Sequence, residues 1–129
     1  MKISVIVPAH NEERWLPSCL DAIAHAGRTV RAQPEVVVVA NRCTDRTVHL
    51  AEEYGARVVV DESRSIASVR NAGAAAATGE ILVTIDADSR MSANALGEVE
   101  RQLATGRVVG GCARVVPERT SKAHVRHAR

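Results

Sequence analysis

Ten residues decide the fold of this chain: Gly79-Glu80-Ile81-Leu82-Val83-Thr84-Ile85-Asp86-Ala87-Asp88. The apolar run at 81–85 predicts a strand buried on both faces, as in a parallel sheet. Side chains two apart in extended chain point the same way, so Asp86 and Asp88 are expected to converge at its carboxyl end. Open α/β sheets bind ligands at that edge. Two hard oxygen donors there suit Mg²⁺ or Mn²⁺ shared with phosphates, although an isolated Asp-x-Asp is equally compatible with a solvated acidic turn.

The composition predicts one domain with an aliphatic core. Of the 129 residues, 46% are hydrophobic but only 2% are aromatic, which suits helices packed on a parallel sheet. A net charge of +2 is too balanced to indicate a nucleic-acid partner. The three cysteines form no CxxC pair, so we expect neither a zinc site nor a disulfide framework, and a reducing, cytoplasmic location fits best. Neither a signal peptide nor a transmembrane segment is expected.

Apolar runs alternating with helical patterns predict the order βαβαβαβαβ. Strands are predicted at 3–7, 36–40, 57–60, 81–85 and 108–116, and Asn11 and Thr44 are predicted to cap the first two helices. The predicted class is α/β, a three-layer α/β/α sandwich with a mainly parallel, Rossmann-like sheet. Residues 1–117 form the predicted domain, and 118–129 a basic tail that is frayed or begins an absent segment.

Several nucleotide-binding signatures are missing from the sequence. It contains neither G-x-G-x-x-G after the first strand nor G-x-x-x-x-G-K-[ST] anywhere. What remains is a set of four loops at predicted strand ends, residues 8–13, 40–45, 63–71 and 86–88. Read together, four segments in and beside these loops resemble glycosyltransferase family 2, which has the GT-A fold. They are Val5-Ile6-Val7-Pro8-Ala9-His10-Asn11-Glu12-Glu13, Asn41-Arg42-Cys43-Thr44-Asp45, Arg70-Asn71-Ala72-Gly73 and Asp86-Ala87-Asp88. The resemblance covers nearly the whole chain, and it implies the half of such an enzyme that binds a nucleotide-diphosphate sugar, a UDP-sugar above all.

The resemblance also implies a set of donor-binding residues. They are Pro8, Ala9, Asn11, Glu12, Asn41, Arg70, Asn71, Asp86, Ala87, Asp88, Gly110 and Gly111, with Asp88 and Asp86 as ligands of Mg²⁺ or Mn²⁺. Asn41 falls where many relatives carry an aspartate that accepts the N–H of uracil; an amide also offers donors, which leaves the base identity open.

Simpler structural roles compete with several of these assignments. Asn11 and Glu12 are also explained as caps of the first helix, and Arg70 as a solvated charge. Gly110 and Gly111 are also explained as a β-bulge. No catalytic residue is assigned, because in the resembled family the general base comes from an acceptor-binding half beyond the fifth strand. After Gly111 the only acid is Glu118, which is not expected to be that base.

Three functional hypotheses follow. The first is a transferase domain that lacks its acceptor half, and the second is a transferase completed by self-association or a partner chain. The third is a non-catalytic interaction or regulatory module that retains the fold. A nucleotidyltransferase on a related fold is a weaker fourth hypothesis, because the loop after the first strand is acidic rather than glycine-rich and basic. The donor sugar and the acceptor are not indicated.

Overall fold

The computed structural model describes residues 2–104 and shows a parallel sheet with helices on both faces. Within that range the strands are β1 (Ile3–Ala9), β2 (Glu35–Ala40), β3 (Arg57–Val60) and β4 (Ile81–Thr84), in the order β3-β2-β1-β4. The α-helices are α1 (Leu16–Ala26), α2 (Thr47–Glu53), α3 (Ile66–Ala76) and α4 (Ala95–Ala104), and a short 3₁₀ helix, Gly27–Thr29, follows α1. The predicted strand at 108–116 and the tail at 118–129 lie outside the described residues.

The two faces of the sheet are covered by different helices. Alternate side chains of a strand point to opposite faces, and β1 is buried along its whole length. Val5 and Val7 pack in the larger core with residues of α1, α2 and α4, whereas Ile6 packs in a smaller core with Val69 of α3. The predicted α/β class with three layers is therefore confirmed. Among the helices of residues 2–104, none has the length and apolar character needed to cross a membrane.

The prediction that the fourth strand is buried on both faces is wrong. The strand ends at Thr84 rather than Ile85, and of its residues only Ile81 is buried. Leu82 is 48% exposed. The reason is that α3 packs mainly against β1 and β2, and β4 lies at an edge of the described sheet.

Two predicted helix caps are also wrong. The N-cap of α1 is Trp15, which makes no side-chain capping bond, and α2 begins at Thr47 after Arg46 rather than directly after Thr44. Asn11 instead accepts hydrogen bonds from the backbone of the segment before α2. Such long-range partners are not visible in the local pattern that predicts a cap.

A polar cluster ties the amino ends of the strands together. The Oγ of buried Ser4 donates to Glu35 Oε1 at 2.7 Å and accepts from the backbone N–H of Gly79 at 2.8 Å. Glu35 Oε1 also accepts from the backbone N–H of Thr78 at 2.8 Å. These bonds lower the pKa of Glu35, and the bond from the backbone N–H of Thr78 has the largest effect. The cluster therefore favours the ionised carboxylate, and it holds the turn before β4 in place.

This cluster predicts a loss of stability in acid. A carboxyl whose pKa is lowered on folding stabilises the fold above its ordinary pKa of 4.5, and that contribution is lost as pH falls through the lower folded value. We therefore expect Glu35→Gln to lower Tm at pH 7 and to flatten the decline of Tm in acid. Glu52→Gln, a change at an exposed site on α2, is the control; an identical pH profile in both variants would contradict the role given to Glu35.

Gly73 allows α3 to lie directly on the sheet. A Cβ at this position would sit 2.5 Å from Ile6 Cγ2 and 2.8 Å from Val39 Cγ2, distances that real Cβ atoms do not adopt. The missing side chain at Gly73 therefore lets α3 lie in close contact with β1 and β2.

We predict that Gly73→Ala destabilises the chain although alanine favours helices. The added methyl group overpacks the core by about 1–3 kcal/mol, which exceeds the gain of at most about 1 kcal/mol in helix propensity. Urea unfolding measures the difference. Ala75→Ser, on the exposed side of the same helix, should change stability by about 0.5 kcal/mol or less; greater stability of Gly73→Ala would contradict the close contact.

Candidate functional site

The site lies where the sheet order reverses, between the carboxyl ends of β1 and β4. The chain leaves β1 toward β2 on one side, whereas β4 pairs with β1 on the other, so the two following loops diverge and leave a crevice. The backbone N–H of Ile85 donates to Ile6 O at 3.0 Å and continues the ladder beyond β4. The loops after β1 and β4 are thereby brought side by side.

A pocket of about 250 Å³ opens at this edge. The predicted residues that line it are Pro8, Ala9, Glu12, Asn41, Asp86 and Ala87. A wider groove of about 450 Å³ lies between α1 and the segment after Asp88, where Ser18, Asp21 and Arg90 are among its lining residues. No residue of the predicted set lines that groove. We place the candidate site in the smaller pocket because the acidic loops converge there.

The acidic loop presents its two carboxylates outward. Asp86 and Asp88 are exposed, whereas Ala87 between them is 1% exposed and packs in the larger core. The thiol of buried Cys19 on α1 donates to Asp86 O at 3.7 Å, and burial raises its pKa to about 12, so it remains protonated. The alternation expected from the sequence is therefore present, and α1 anchors the loop from beneath.

Three carboxylates share one electrostatic environment. The pKa of Glu12 is raised, first by burial and then by the negative charges of Asp88 and Asp86. This concentration of hard oxygen donors fits a divalent cation, which would relieve the repulsion. Within residues 2–104, no three His, Cys, Asp or Glu side chains are grouped closely enough to hold a metal ion by themselves. A cation here would need further ligands, such as the phosphate oxygens of a substrate.

Residues of the α3 segment lie at the border of this site. Arg70 Nη2 is 3.7 Å from Asp86 Oδ1 in a half-exposed ion pair, whereas Asn71 is exposed and neither residue lines the pocket. Arg70 therefore faces an acid of the candidate site, with about half of its side chain exposed. The predicted Gly110 and Gly111 lie outside the part of the chain that the structure describes.

Asn11 and Asp45 hold the loop after β1 against the loop after β2. Asn11 adopts a positive φ of 50°, and its Oδ1 accepts from the backbone N–H of Thr44 at 2.7 Å and of Asp45 at 3.3 Å. Asp45 Oδ2 in turn accepts from the backbone N–H of Glu13 at 3.2 Å. The Asn11 oxygen is therefore engaged within the protein, and Asp45 links the same two loops.

Thr47 fixes the position of Glu12. Its buried hydroxyl accepts from the backbone N–H of Glu12 at 2.9 Å and donates to Asp45 Oδ1. Both hydrogen-bonding capacities of the hydroxyl are used between the two loops, so the backbone of Glu12 is held against the segment before α2.

The side chain of Asn41 is buried and makes two hydrogen bonds. It is 8% exposed, and its Nδ2 donates to Asp61 O and to Ser63 O, each at 2.7 Å. Its backbone N–H donates to Ala9 O at 2.8 Å. The side chain thus joins the end of β2 to the loop after β3.

Six lining residues were not among those predicted for the site, although each lies in a loop that was expected at this edge. They are His10, Arg42, Arg64, Ser65, Ile66 and Val69, which also line the pocket. His10 Nδ1 is 2.7 Å from Asn41 O, and because a carbonyl only accepts, Nδ1 carries the proton there. The available signal was Ser65, whose side chain caps α3 by accepting from the backbone N–H of Ser68; in an α/β fold, the start of a helix lies near the carboxyl edge of the sheet.

Comparison with known proteins identifies the family of this chain. The model of the family "Glycosyl transferase family 2" matches residues 4–129. The chain belongs to glycosyltransferase family 2. An uncharacterised glycosyltransferase of Mycobacterium tuberculosis is 38% identical over 104 residues, which are 81% of this chain and 44% of that protein. The chain therefore spans less than half the length of this relative.

Solved structures of GT-A glycosyltransferases share the fold. Glucosyl-3-phosphoglycerate synthase from M. tuberculosis, in complex with Mn²⁺, UDP and glucosyl-3-phosphoglycerate, has a TM-score of 0.70 and 29% identity over 82% of this chain and 40% of that one. TarS 1–349 of S. aureus, in complex with UDP-GlcNAc, has a TM-score of 0.69 and 26% identity over 81% of this chain and 32% of that one. The expected family and GT-A fold are both confirmed.

The bonds of Thr47 predict a cost for removing its hydroxyl. Thr47→Val keeps the shape but leaves the N–H of Glu12 without its partner, so the free energy of unfolding should fall by about 1–3 kcal/mol. Thr44→Val, at an exposed position three residues earlier, is the matched control and should cost less. Chemical denaturation measures both, and equal losses would contradict the role of Thr47 as the link between the two loops.

Proposed function

We propose that this domain binds a nucleotide-diphosphate sugar, specifically a UDP-sugar, for glycosyl transfer. The observation that carries the proposal is that Glu12 and Asp86 line one pocket at the switch point of the sheet, next to the exposed Asp88. The two neighbouring structures support it, because one holds UDP with Mn²⁺ and the other holds UDP-GlcNAc.

Asp88 and Asp86 would hold Mg²⁺ or Mn²⁺ together with the diphosphate. Both side chains are exposed, so their oxygens are accessible to such a ligand. When bound, the ion supplies Lewis-acid neutralisation of the charge that develops on the departing diphosphate.

The protein's own residues would place the nucleotide around that point. The pocket volume of about 250 Å³ suits the nucleoside portion, and Glu12, held by Thr47, is an acceptor for ribose hydroxyl groups. Arg70 lies close enough to Asp86 to hold this carboxylate in place or to contact phosphate oxygens. Asn71 is placed at the border of the site only because it follows Arg70 in the sequence.

The acceptor and the general base remain unassigned. A transferase also needs a group that removes the proton of the acceptor hydroxyl, and no described residue is given that role here. Self-association or a partner chain would supply the acceptor-binding half. The cysteine pattern predicts a cytoplasmic location.

The proposal predicts metal-dependent stabilisation by UDP. In the presence of Mn²⁺, UDP at about a hundredfold excess over Kd should raise Tm by about 5 °C or more. Asp88→Ala should abolish the rise, because it removes a proposed ligand of the ion. Asp21→Ala, an exposed carboxylate on α1, is the control and should leave the rise intact.

Differential scanning fluorimetry with and without EDTA measures these shifts. A rise in Tm that persists in EDTA, or one unaffected by Asp88→Ala, would contradict the metal-held diphosphate. No rise under any condition would instead favour a non-catalytic interaction module that keeps the fold.

A further inference from the structure

A second cavity, the groove between α1 and the segment after Asp88, lies apart from the proposed nucleotide pocket. Its volume is about 450 Å³, and sites for small molecules typically have volumes of about 300–1,000 Å³. Its lining residues are Ser18, Asp21, Ala22 and His25 of α1 together with Arg90 and Met91. No described residue lines both cavities, so the groove is available to a ligand of its own.

One stripe of α1 forms a wall of this groove. Positions 18, 21, 22 and 25 are three or four residues apart, so their side chains lie on one face of the helix. The residues of α1 that pack in the core lie on a different face; they are Leu16, Cys19, Leu20, Ile23 and Ala26. Ser18, Asp21 and His25 are exposed, and their polar groups are therefore accessible to a ligand.

The turn at Asp86–Asp88 lies between the groove and the nucleotide pocket. On the side of α1, the thiol of Cys19 donates to Asp86 O at 3.7 Å, and Arg90 comes two residues after the turn. On the other side, the pocket is lined by Asp86 and by Val69 of α3, which packs on the opposite face of the sheet from α1. A ligand in the groove and a nucleotide in the pocket would therefore be neighbours across this turn.

The polar groups of the groove match a neutral ligand that carries several hydroxyl groups. The carboxylate of Asp21 only accepts hydrogen bonds, the guanidinium of Arg90 only donates them, and the hydroxyl of Ser18 does both. A sugar hydroxyl both donates and accepts, so a saccharide can pair with all three groups. A phosphate would instead meet the like charge of Asp21. The flexible, apolar side chain of Met91 suits the C–H face of a sugar ring.

We propose that this groove binds a neutral saccharide. Asp21 would accept from hydroxyl groups of the sugar, and Arg90 would donate to its oxygens. Ala22 and Met91 would contact the apolar face of the ring. The further assignment of this saccharide as the acceptor of glycosyl transfer rests on the proposed function, because it follows from the position of the groove beside the turn that would hold the diphosphate.

Nuclear magnetic resonance of the ¹⁵N-labelled chain tests the binding directly. The probes are neutral disaccharides of glucose, mannose and N-acetylglucosamine, with inorganic phosphate as the charged comparison. We expect at least one disaccharide to shift the backbone amide signals of residues 18–25 and 90–91 saturably, and phosphate to leave these signals in place. If none of the disaccharides shifts them, or if phosphate does, the inference is overturned.

Two substitutions on α1 then test how the saccharide is held. Asp21→Asn keeps the size of the side chain but removes the charged acceptor, so the disaccharide should bind about tenfold more weakly. Glu52→Gln makes the same chemical change at an exposed position on α2 and should have no effect. Ala22→Leu fills part of the groove and should also weaken binding, whereas Ala24→Leu, at an exposed position of α1 outside the groove, should not.

Unchanged affinity in either Asp21→Asn or Ala22→Leu would place the saccharide outside the groove and overturn the inference. Circular dichroism of each variant establishes folding, and if one variant does not fold, the other still decides.

The titration contains neither nucleotide nor metal, so its outcome is independent of the proposed function. Disaccharide binding by a chain that UDP and Mn²⁺ do not stabilise would keep the saccharide site but refute the proposed function and, with it, the acceptor role. Stabilisation by UDP and Mn²⁺ without binding of any disaccharide would refute the saccharide site and leave the proposed function intact.

Discussion

The parallel pairing of β1 with β4 is the constraint on which the candidate site depends. Ile6 is aligned with Thr84, and the backbone N–H of Ile85 extends the ladder by donating to Ile6 O. That register determines where β1 and β4 end and where the loop after each strand begins. Glu12 on one loop and the Asp86–Asp88 turn on the other therefore lie close enough for their charges to interact.

Side chains that bond to the backbone hold the loops in this arrangement. Asn11, Asp45 and Thr47 join the loop after β1 to the one after β2, whereas Asn41 joins the end of β2 to the loop after β3. At the opposite edge, Ser4 and Glu35 fix the turn that leads into β4. At the carboxyl edge, these polar side chains therefore use their hydrogen-bonding groups within the protein. The carboxylates of Asp86 and Asp88 are exposed there and accessible to a ligand.

The sequence predicted the architecture because strand runs and their order are local patterns. The alternating exposure expected for Asp86, Ala87 and Asp88 is present, although Ala87 and Asp88 lie in a turn after β4 rather than in extended chain. Asn11 was predicted to cap a helix, and its actual role could not be predicted, since its hydrogen-bond partners lie 33 and 34 residues away. The exposure of Leu82 depends on where α3 packs, which no periodicity within the strand reveals. The loop at 63–71 was expected at this edge, but its lining residues Arg64, Ser65 and Ile66 were not among the predicted site residues, because which side chains of a loop face a pocket depends on tertiary packing.

The central claim is that a divalent ion is held between Asp88 and the diphosphate of a nucleotide. A crystal structure of the chain with Mn²⁺ and UDP, with an anomalous difference map recorded at the manganese edge, tests it most directly. The account predicts one manganese peak in contact with a carboxylate of the Asp86–Asp88 turn and with phosphate oxygens, and the uracil ring in the pocket beside Asn41. Manganese bound elsewhere, or UDP bound without contact to this turn, would contradict it.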